Sequence, residues 1–356
     1  MSATVDLTAF DAITAPDEQF VEEARRRHEE LAKPPGALGR LEELARWWCS
    51  VRGQCPAPPP NRAELVIFAG DHGVSAGGVS AYPAEVTAQM VANFLAGGAA
   101  ANVLAAVGDV NVHVRDLSVD SDYSGLSIPD EVTKWRVRRG SGDIRFADAM
   151  SGDEAQLAVR HGIEIADELI DSGADLLLTG DMGIGNTTPA TTLIFLLGGG
   201  ELPDLIGRGT GIDDAGWMRK AAAVRDAARR GRPHRSDPIQ LLATVAGPDL
   251  AAMTGFLLQA AVRRTPVLLD GLVSGAAALV ADRVSFRARH WWAAGHRSAE
   301  PAHAVALQRL RLEPLVDLGM RLGEGTGALM AVPVLRAAAA SLADMATFAE
   351  AGVTNR

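Results

Sequence analysis

Leu176-Leu-Leu-Thr-Gly-Asp-Met-Gly-Ile-Gly-Asn-Thr-Thr-Pro-Ala190 is an apolar run that breaks into a glycine-rich turn and resumes as a helix start. A short apolar run bounded by turn residues reads as a buried strand, and the threonines and proline after the last glycine suit the first turn of a helix. The same alternation extends outward. Leu65-Val-Ile-Phe-Ala69, Val110 to Val114 and Val267-Leu-Leu269 read as further buried strands. Between them lie Ala-rich helical stretches, among them Pro83 to Val107 and a run opened by a capping box of Ser151 and Glu154. Strands and helices alternating at this spacing predict an α/β fold, a Rossmann-like three-layer α/β/α parallel sheet.

Both ends of the chain read differently. Pro16-Asp17-Glu18 opens a helix with Phe20, Val21, Ala24 and Leu31 on one side, and a second short helix runs from Leu38 to Val51. Pro56-Ala-Pro-Pro-Pro60 then forms the best linker candidate. From Ala299 onward the chain reads as helical almost throughout. The expected organisation is therefore residues 1–60 and 299–356 as a smaller helical domain and residues 61–298 as the α/β domain carrying the site.

Composition narrows the function. Hydrophobic residues make up 47% of the 356 and aromatics only 5%, which suits a core of Ala, Val and Leu in a metabolic enzyme. A formal charge of −10 argues against a nucleic-acid binder, which needs a positive face. Arg25-Arg26-Arg27 and Arg229-Arg230-Gly231-Arg232 sit in charge-mixed surroundings and read as solvated faces. Met1 to Ile13 carries Asp6 and Asp11 and no signal-peptide pattern. The apolar stretches read as broken short of a membrane span, and the cytoplasm is expected. Cys49 and Cys55, with five residues between them, match neither a zinc nor a redox motif and are expected as reduced thiols.

Three strand ends exit into glycine beside a polar or acidic residue: Gly70-Asp71-His72-Gly73, Gly180-Asp181-Met182-Gly183 and Asp270-Gly271. Ligands of open parallel sheets bind at the carboxyl ends of the strands, so the three loops are expected to converge. The 180–190 loop fits two readings, an anion site for a monophosphate or a plain tight turn with a threonine cap. Gly207-Arg-Gly-Thr-Gly-Ile-Asp213 and Lys220 would complete a phosphate cradle. In Arg321-Leu-Gly-Glu-Gly-Thr-Gly327 a single carboxylate stands between glycines, either left open for a ligand or exposed in a flexible turn. His296, Glu300 and His303 have mixed spacing and make a poor metal set, so no metal and no cofactor are expected.

These segments, in order, resemble the nicotinate-nucleotide:dimethylbenzimidazole phosphoribosyltransferases. The resemblance runs through Lys33-Pro-Pro-Gly-Ala-Leu-Gly-Arg-Leu-Glu42, Ala69-Gly-Asp-His-Gly-Val74, Val79-Ser-Ala-Tyr-Pro83 with Val86-Thr-Ala-Gln89, and Gly97-Gly-Ala-Ala100. It continues through Gly183-Ile-Gly-Asn-Thr-Thr-Pro189, Met253-Thr-Gly255, Leu268-Leu-Asp-Gly271 and Met320-Arg-Leu-Gly-Glu-Gly-Thr-Gly327. It implies a homodimer that moves phosphoribose from nicotinate mononucleotide to 5,6-dimethylbenzimidazole, giving alpha-ribazole phosphate for the nucleotide loop of cobalamin. It puts the catalytic glutamate on Glu324. Phosphate and ribose contacts fall on Gly183, Gly185, Asn186, Thr187, Gly209 and Lys220, and base contacts on Tyr82, Gln89 and Leu322. Asp181 stands where the family often has Glu and would aid the ribosyl centre. Val245-Ala-Gly-Pro-Asp249 departs from the usual Gly-Gly-Phe-Asp. Two rivals remain: an enzyme using phosphoribosyl pyrophosphate, for which the single acid of Leu268-Leu-Asp-Gly-Leu272 is one too few, and a nucleotide-binding regulator without turnover.

Overall fold

The computed structural model describes residues 4–354. Five parallel strands form one sheet in the order β2-β1-β3-β4-β5: β1 (Ala63–Gly70), β2 (Val110–Ser118), β3 (Leu176–Met182), β4 (Val267–Leu269) and β5 (Trp292–Ala294). β1 is buried along its whole length, as expected of a strand covered on both faces. Leu65 lies under Gly325, at the head of helix Thr326–Asp344, and Phe68 meets Phe256 of helix Pro248–Val262 edge-on at 5.4 Å. Odd and even residues of a strand face opposite ways, so these two contacts define the two helical layers.

The parallel sheet and four of its strands follow the sequence reading, and β5 was missed. It is three residues long and sits in an Arg- and His-rich stretch, so only its pairing to β4 identifies it. Pro83 to Val107 is two helices, Glu85–Leu95 and Ala100–Val107, because Gly97 takes a left-handed φ of +78° between them. The capping box forms: Glu154 N donates to Ser151 Oγ at 3.2 Å and Ser151 N to Glu154 Oε2 at 2.8 Å. Beyond Ala299 the chain is less helical than its composition suggests, with an irregular passage between Pro301–Leu310 and Thr326–Asp344. That passage carries the Glu324 loop.

Helices Glu18–Glu30 and Arg40–Arg52 pack against Thr326–Asp344, and Arg27 donates to the carbonyls of Leu342 and Ala343. Pro301–Leu310 packs on Thr187–Gly198 and Leu272–Val284. The Pro56–Pro60 stretch is pinned between these parts, Trp48 Nε1 donating to Pro58 O at 2.8 Å and Arg336 Nε to Pro60 O at 3.1 Å. Contrary to the sequence reading, two segments are long and apolar enough to span a bilayer, residues 85–107 and Thr326–Asp344. The first is broken into two helices, and the second buries Leu329, Val332 and Leu335 in the core.

Candidate active site

β3 delivers the chain into the glycine turn at residues 183–186 and then into helix Thr187–Gly198. The turn is wedged tightly. A Cβ on Gly183 would stand 1.9 Å from the Gly70 carbonyl oxygen, and one on Gly180 2.7 Å from the carbonyl carbon of Glu324. Glycine at these two positions lets the ends of β1, β3 and the Glu324 loop meet. Asn186 does not cap the helix that follows it; its Nδ2 donates to Asp181 Oδ2 at 2.8 Å. In the first turn of that helix Thr188 N already donates to Gly185 O at 3.0 Å and Pro189 has no N–H, which leaves the Thr187 N–H at the helix start for an anion.

A cavity of about 690 Å³ opens over the carboxyl ends of β3, β4 and β5. Of the residues predicted from sequence, Asp181, Gly183, Asn186, Thr187, Gly209, Tyr82, Leu322 and Glu324 line it. Gly185 stands outside the wall at a φ of +93°, where a Cβ would crowd Ser75 and His72 at 3.3 and 3.4 Å. Gln89 is exposed and outside the wall. The helix period accounts for this, since Val86 and Met90, four residues apart, line the cavity and Gln89 falls between them on another face.

The expected convergence of three exit loops holds for two of them. Asp181 and Gly271 reach the cavity, whereas residues 70–73 form the support behind it. His72 Nε2 lies 3.0 Å from Asp249 Oδ2, both fully enclosed. Thr87 Oγ1 donates to Asp71 Oδ1 at 2.5 Å, and Ile184 N donates to Thr87 Oγ1 at 3.1 Å. The first loop thus braces the phosphate loop.

Lys220 is completely buried and sits beneath Thr187 and Gly209. Its ammonium donates to Thr187 Oγ1 at 2.9 Å and to Gly207 O at 3.1 Å, leaving one of three N–H bonds uncommitted. Burial pulls its pKa down to about 8, against a smaller opposing effect of Glu300.

Glu324 is 6% exposed and adopts φ +60°, a left-handed conformation rare for a residue with a side chain. Burial lifts its carboxyl above the ordinary range; the Ala101 N–H at the start of helix Ala100–Val107 opposes this, and the nearby Asp270 carboxylate reinforces it. Its Oε2 is buried without a hydrogen-bond partner. The flanking glycines serve a different purpose from the one read in the sequence. Cβ atoms would meet the Asp181 carboxylate at 3.0 Å from Gly323, Leu65 at 2.4 Å from Gly325, and the His296 ring at 2.0 Å from Gly327. Protein packing demands them, and the Glu324 carboxyl is presented as a result. Asp181 lies well above the carboxylate range, chiefly through burial and then through the like charges of Asp270 and Asp249.

Sequence reasoning missed Arg321, His296, Ser298 and Glu300 as cavity residues. Arg321 Nη1 donates to the Gly209 carbonyl, tying the glutamate loop to the phosphate loop. Glu300 Oε1 accepts from Gly209 N at 3.0 Å while its Oε2 is buried and unpartnered. His296 and Glu300 share the cavity wall, and His303 stands behind it with its Nδ1 accepting from Ser298 N at 3.0 Å. Among the described residues no group of three or more His, Cys, Asp or Glu side chains is arranged to hold a metal ion.

A phosphoribosyltransferase family model matches residues 13–353, nearly the whole chain and every wall of this cavity. The chain belongs to that family. Among its relatives is nicotinate-nucleotide–dimethylbenzimidazole phosphoribosyltransferase of Mycolicibacterium paratuberculosis, 56% identical over 346 residues, covering 97% of this chain and 98% of the relative. The Mycobacterium tuberculosis protein of the same name is 55% identical over 350 residues, covering 98% and 96%. The crystal structure of the Thermus thermophilus phosphoribosyltransferase of that name superposes with a TM-score of 0.89 at 43% identity, over 96% of this chain and 100% of that one. The α/β sheet with surrounding helices is therefore the architecture of a solved phosphoribosyltransferase.

Proposed function

We propose that this phosphoribosyltransferase moves the phosphoribosyl group of nicotinate mononucleotide onto 5,6-dimethylbenzimidazole, releasing nicotinate and forming alpha-ribazole phosphate for the nucleotide loop of cobalamin. One observation carries this reading. One cavity is lined both by a buried carboxylate, Glu324, and by the glycine turn leading into Thr187, with a buried ammonium, Lys220, beneath Thr187. That is a proton acceptor sharing a cavity with a phosphate seat.

The benzimidazole nitrogen attacks the ribose anomeric carbon, and the bond to the nicotinate nitrogen breaks with its electron pair going to nicotinate. The leaving group is a pyridinium in the donor, so its departure needs no proton and no Lewis acid. The attacking base becomes cationic, and its other ring nitrogen gives up a proton to Glu324. Gly183, Asn186, Thr187 and Gly209 hold the phosphate and ribose, with Lys220 supplying charge from below. Asp181 stands beside Glu324 to meet the positive charge that develops on the ribosyl centre, a cation that favours its ionised form. Tyr82, Val86, Met90 and Leu322 form the apolar wall for the aromatic base.

Purified protein given nicotinate mononucleotide and a panel of benzimidazoles and purines, with products read by mass spectrometry, tests donor and acceptor together. The product should form at full rate after exhaustive chelation, because the leaving group is already cationic. Activity lost on chelation and restored by one divalent ion would return the pyrophosphate-dependent rival.

Lys220→Ala should raise KM for the nucleotide at least about tenfold while kcat falls less, the pattern of lost ground-state binding. An unchanged KM removes Lys220 from the phosphate seat.

We further propose that the chain is a cytoplasmic homodimer in which residues 1–60 and 299–356 form a smaller helical domain beside the sheet. Supporting the dimer, Leu95, Val103 and Val107 expose apolar side chains on the two helices beside the cavity, Val107 by 79%. A partner subunit packed there would cover them. Light scattering should give twice 37.3 kDa, and a monomer at micromolar concentration would remove the assignment. The free thiols of Cys49 and Cys55 accord with the cytoplasm.

A further inference from the structure

Asp270 follows β4 directly and is 0% exposed. Its carboxylate lies under the head of helix Thr326–Asp344, where Oδ2 accepts from Gly325 N at 3.1 Å and Oδ1 from Gly327 N at 2.7 Å and Ala328 N at 3.1 Å. That helix has no side-chain cap of its own, its N-cap being Gly325 at φ +79°. First-turn N–H groups have no partner within a helix, and a carboxylate there also gains from the helix dipole. Asp270 supplies the cap from another strand, and His296 Nε2 stands 3.5 Å from its Oδ1.

Glu324 is the residue immediately before this clamp. A side-chain-bearing residue in the left-handed region is strained and persists only where its surroundings over-determine it. Glu324 N donates to Asp181 O at 3.1 Å, which fixes the loop on one side. The carboxylate of Asp270 fixes it on the other. Asp270 is absent from the cavity wall.

We infer that Asp270 is a positioning residue for the transfer: by accepting from the N–H groups of Gly325, Gly327 and Ala328 it holds Glu324 in the conformation that presents its carboxylate to the cavity. The inference rests on the reading of Glu324 as the proton acceptor.

A double-mutant cycle on kcat separates positioning from general structural support. Asp270→Asn turns an amide donor toward N–H donors. It should lower kcat by about 10- to 100-fold in the otherwise unaltered protein, change KM for nicotinate mononucleotide by less than about threefold, and cost less than about threefold more when added to Glu324→Gln. Equal losses in both backgrounds, or no loss in either, overturn the proposal while leaving Glu324 as the base. Unaltered kcat in Glu324→Gln alone removes the base assignment and the Asp270 role with it. If Asp270→Asn does not accumulate as folded protein, Asp270→Ser, which keeps one acceptor without the charge, is read in the same cycle.

Discussion

Glu324→Gln should lower kcat by about 10² to 10⁴, the usual value of a positioned general base. The amide keeps the size of the side chain, so the left-handed backbone and the surrounding glycines are undisturbed, and thermal unfolding should shift little. Affinity for the neutral benzimidazole should fall far less than turnover, because the amide oxygen still accepts a hydrogen bond. The pH dependence adds a second readout. Proton acceptance needs the ionised carboxylate, and burial beside Asp270 raises the folded-state pKa of Glu324. Activity should therefore be lost as pH falls through that raised value, placing the acid limb of kcat above the range of an ordinary glutamate, and the limb should be absent in Glu324→Gln. Near-normal turnover at neutral pH would show that another group takes the proton. Asp181, hydrogen-bonded to Asn186 in the same wall, is the next carboxylate to replace.

Gly183→Ala is expected to reduce kcat/KM for the nucleotide by at least about 100-fold, since misplacement by about 1 Å can cost that much. The added Cβ would lie 1.9 Å from the Gly70 carbonyl oxygen, far inside van der Waals contact. The backbone at the ends of β1 and β3 must separate to admit it. That shifts the glycine turn, and Thr187 with it, relative to Lys220 and the Gly209 segment in one step. Forced overpacking of this kind also costs about 1–3 kcal/mol of stability. Steady-state kinetics and a thermal melt read both effects. Gly152→Ala serves as a control, because a Cβ there meets nothing nearer than 3.4 Å and lies on a different helix. Equal behaviour of the two variants would mean that the β3 exit tolerates movement and that the phosphate is held elsewhere.

Periodicity and punctuation carry the fold class in this chain. Leu65 to Ala69 and Leu176 to Leu178 are uniformly apolar because both faces of the sheet are covered, and a strand with that pattern needs only its own residues to be recognised. The Gly-Asp exits of β3 and β4 and the turn before Thr187 were legible for the same reason, since glycine marks places where the backbone does something unusual. Glu324 and most of the phosphate loop were located in this way and by resemblance. Tertiary pairing decided the rest. β5 has three residues and acquires an identity only beside β4. Gln89 lies three residues after Val86 and one before Met90, and the rotation that keeps it off the cavity face is set by the packing of Glu85–Leu95. The glycines around Glu324 look from sequence like space left for a ligand, yet their missing side chains are filled by Asp181, Leu65 and His296 from three other strands or strand exits. Arg321, Glu300 and Asp270 gain their roles from groups far away in the chain, Gly209 for the first two and Gly325, Gly327 and Ala328 for the third. Local sequence determines which segments become strands, turns and helices, because those choices depend on neighbouring residues. Which carboxylate is buried, clamped and shifted in pKa depends on burial and on charges brought in by other elements, and only the folded chain supplies those.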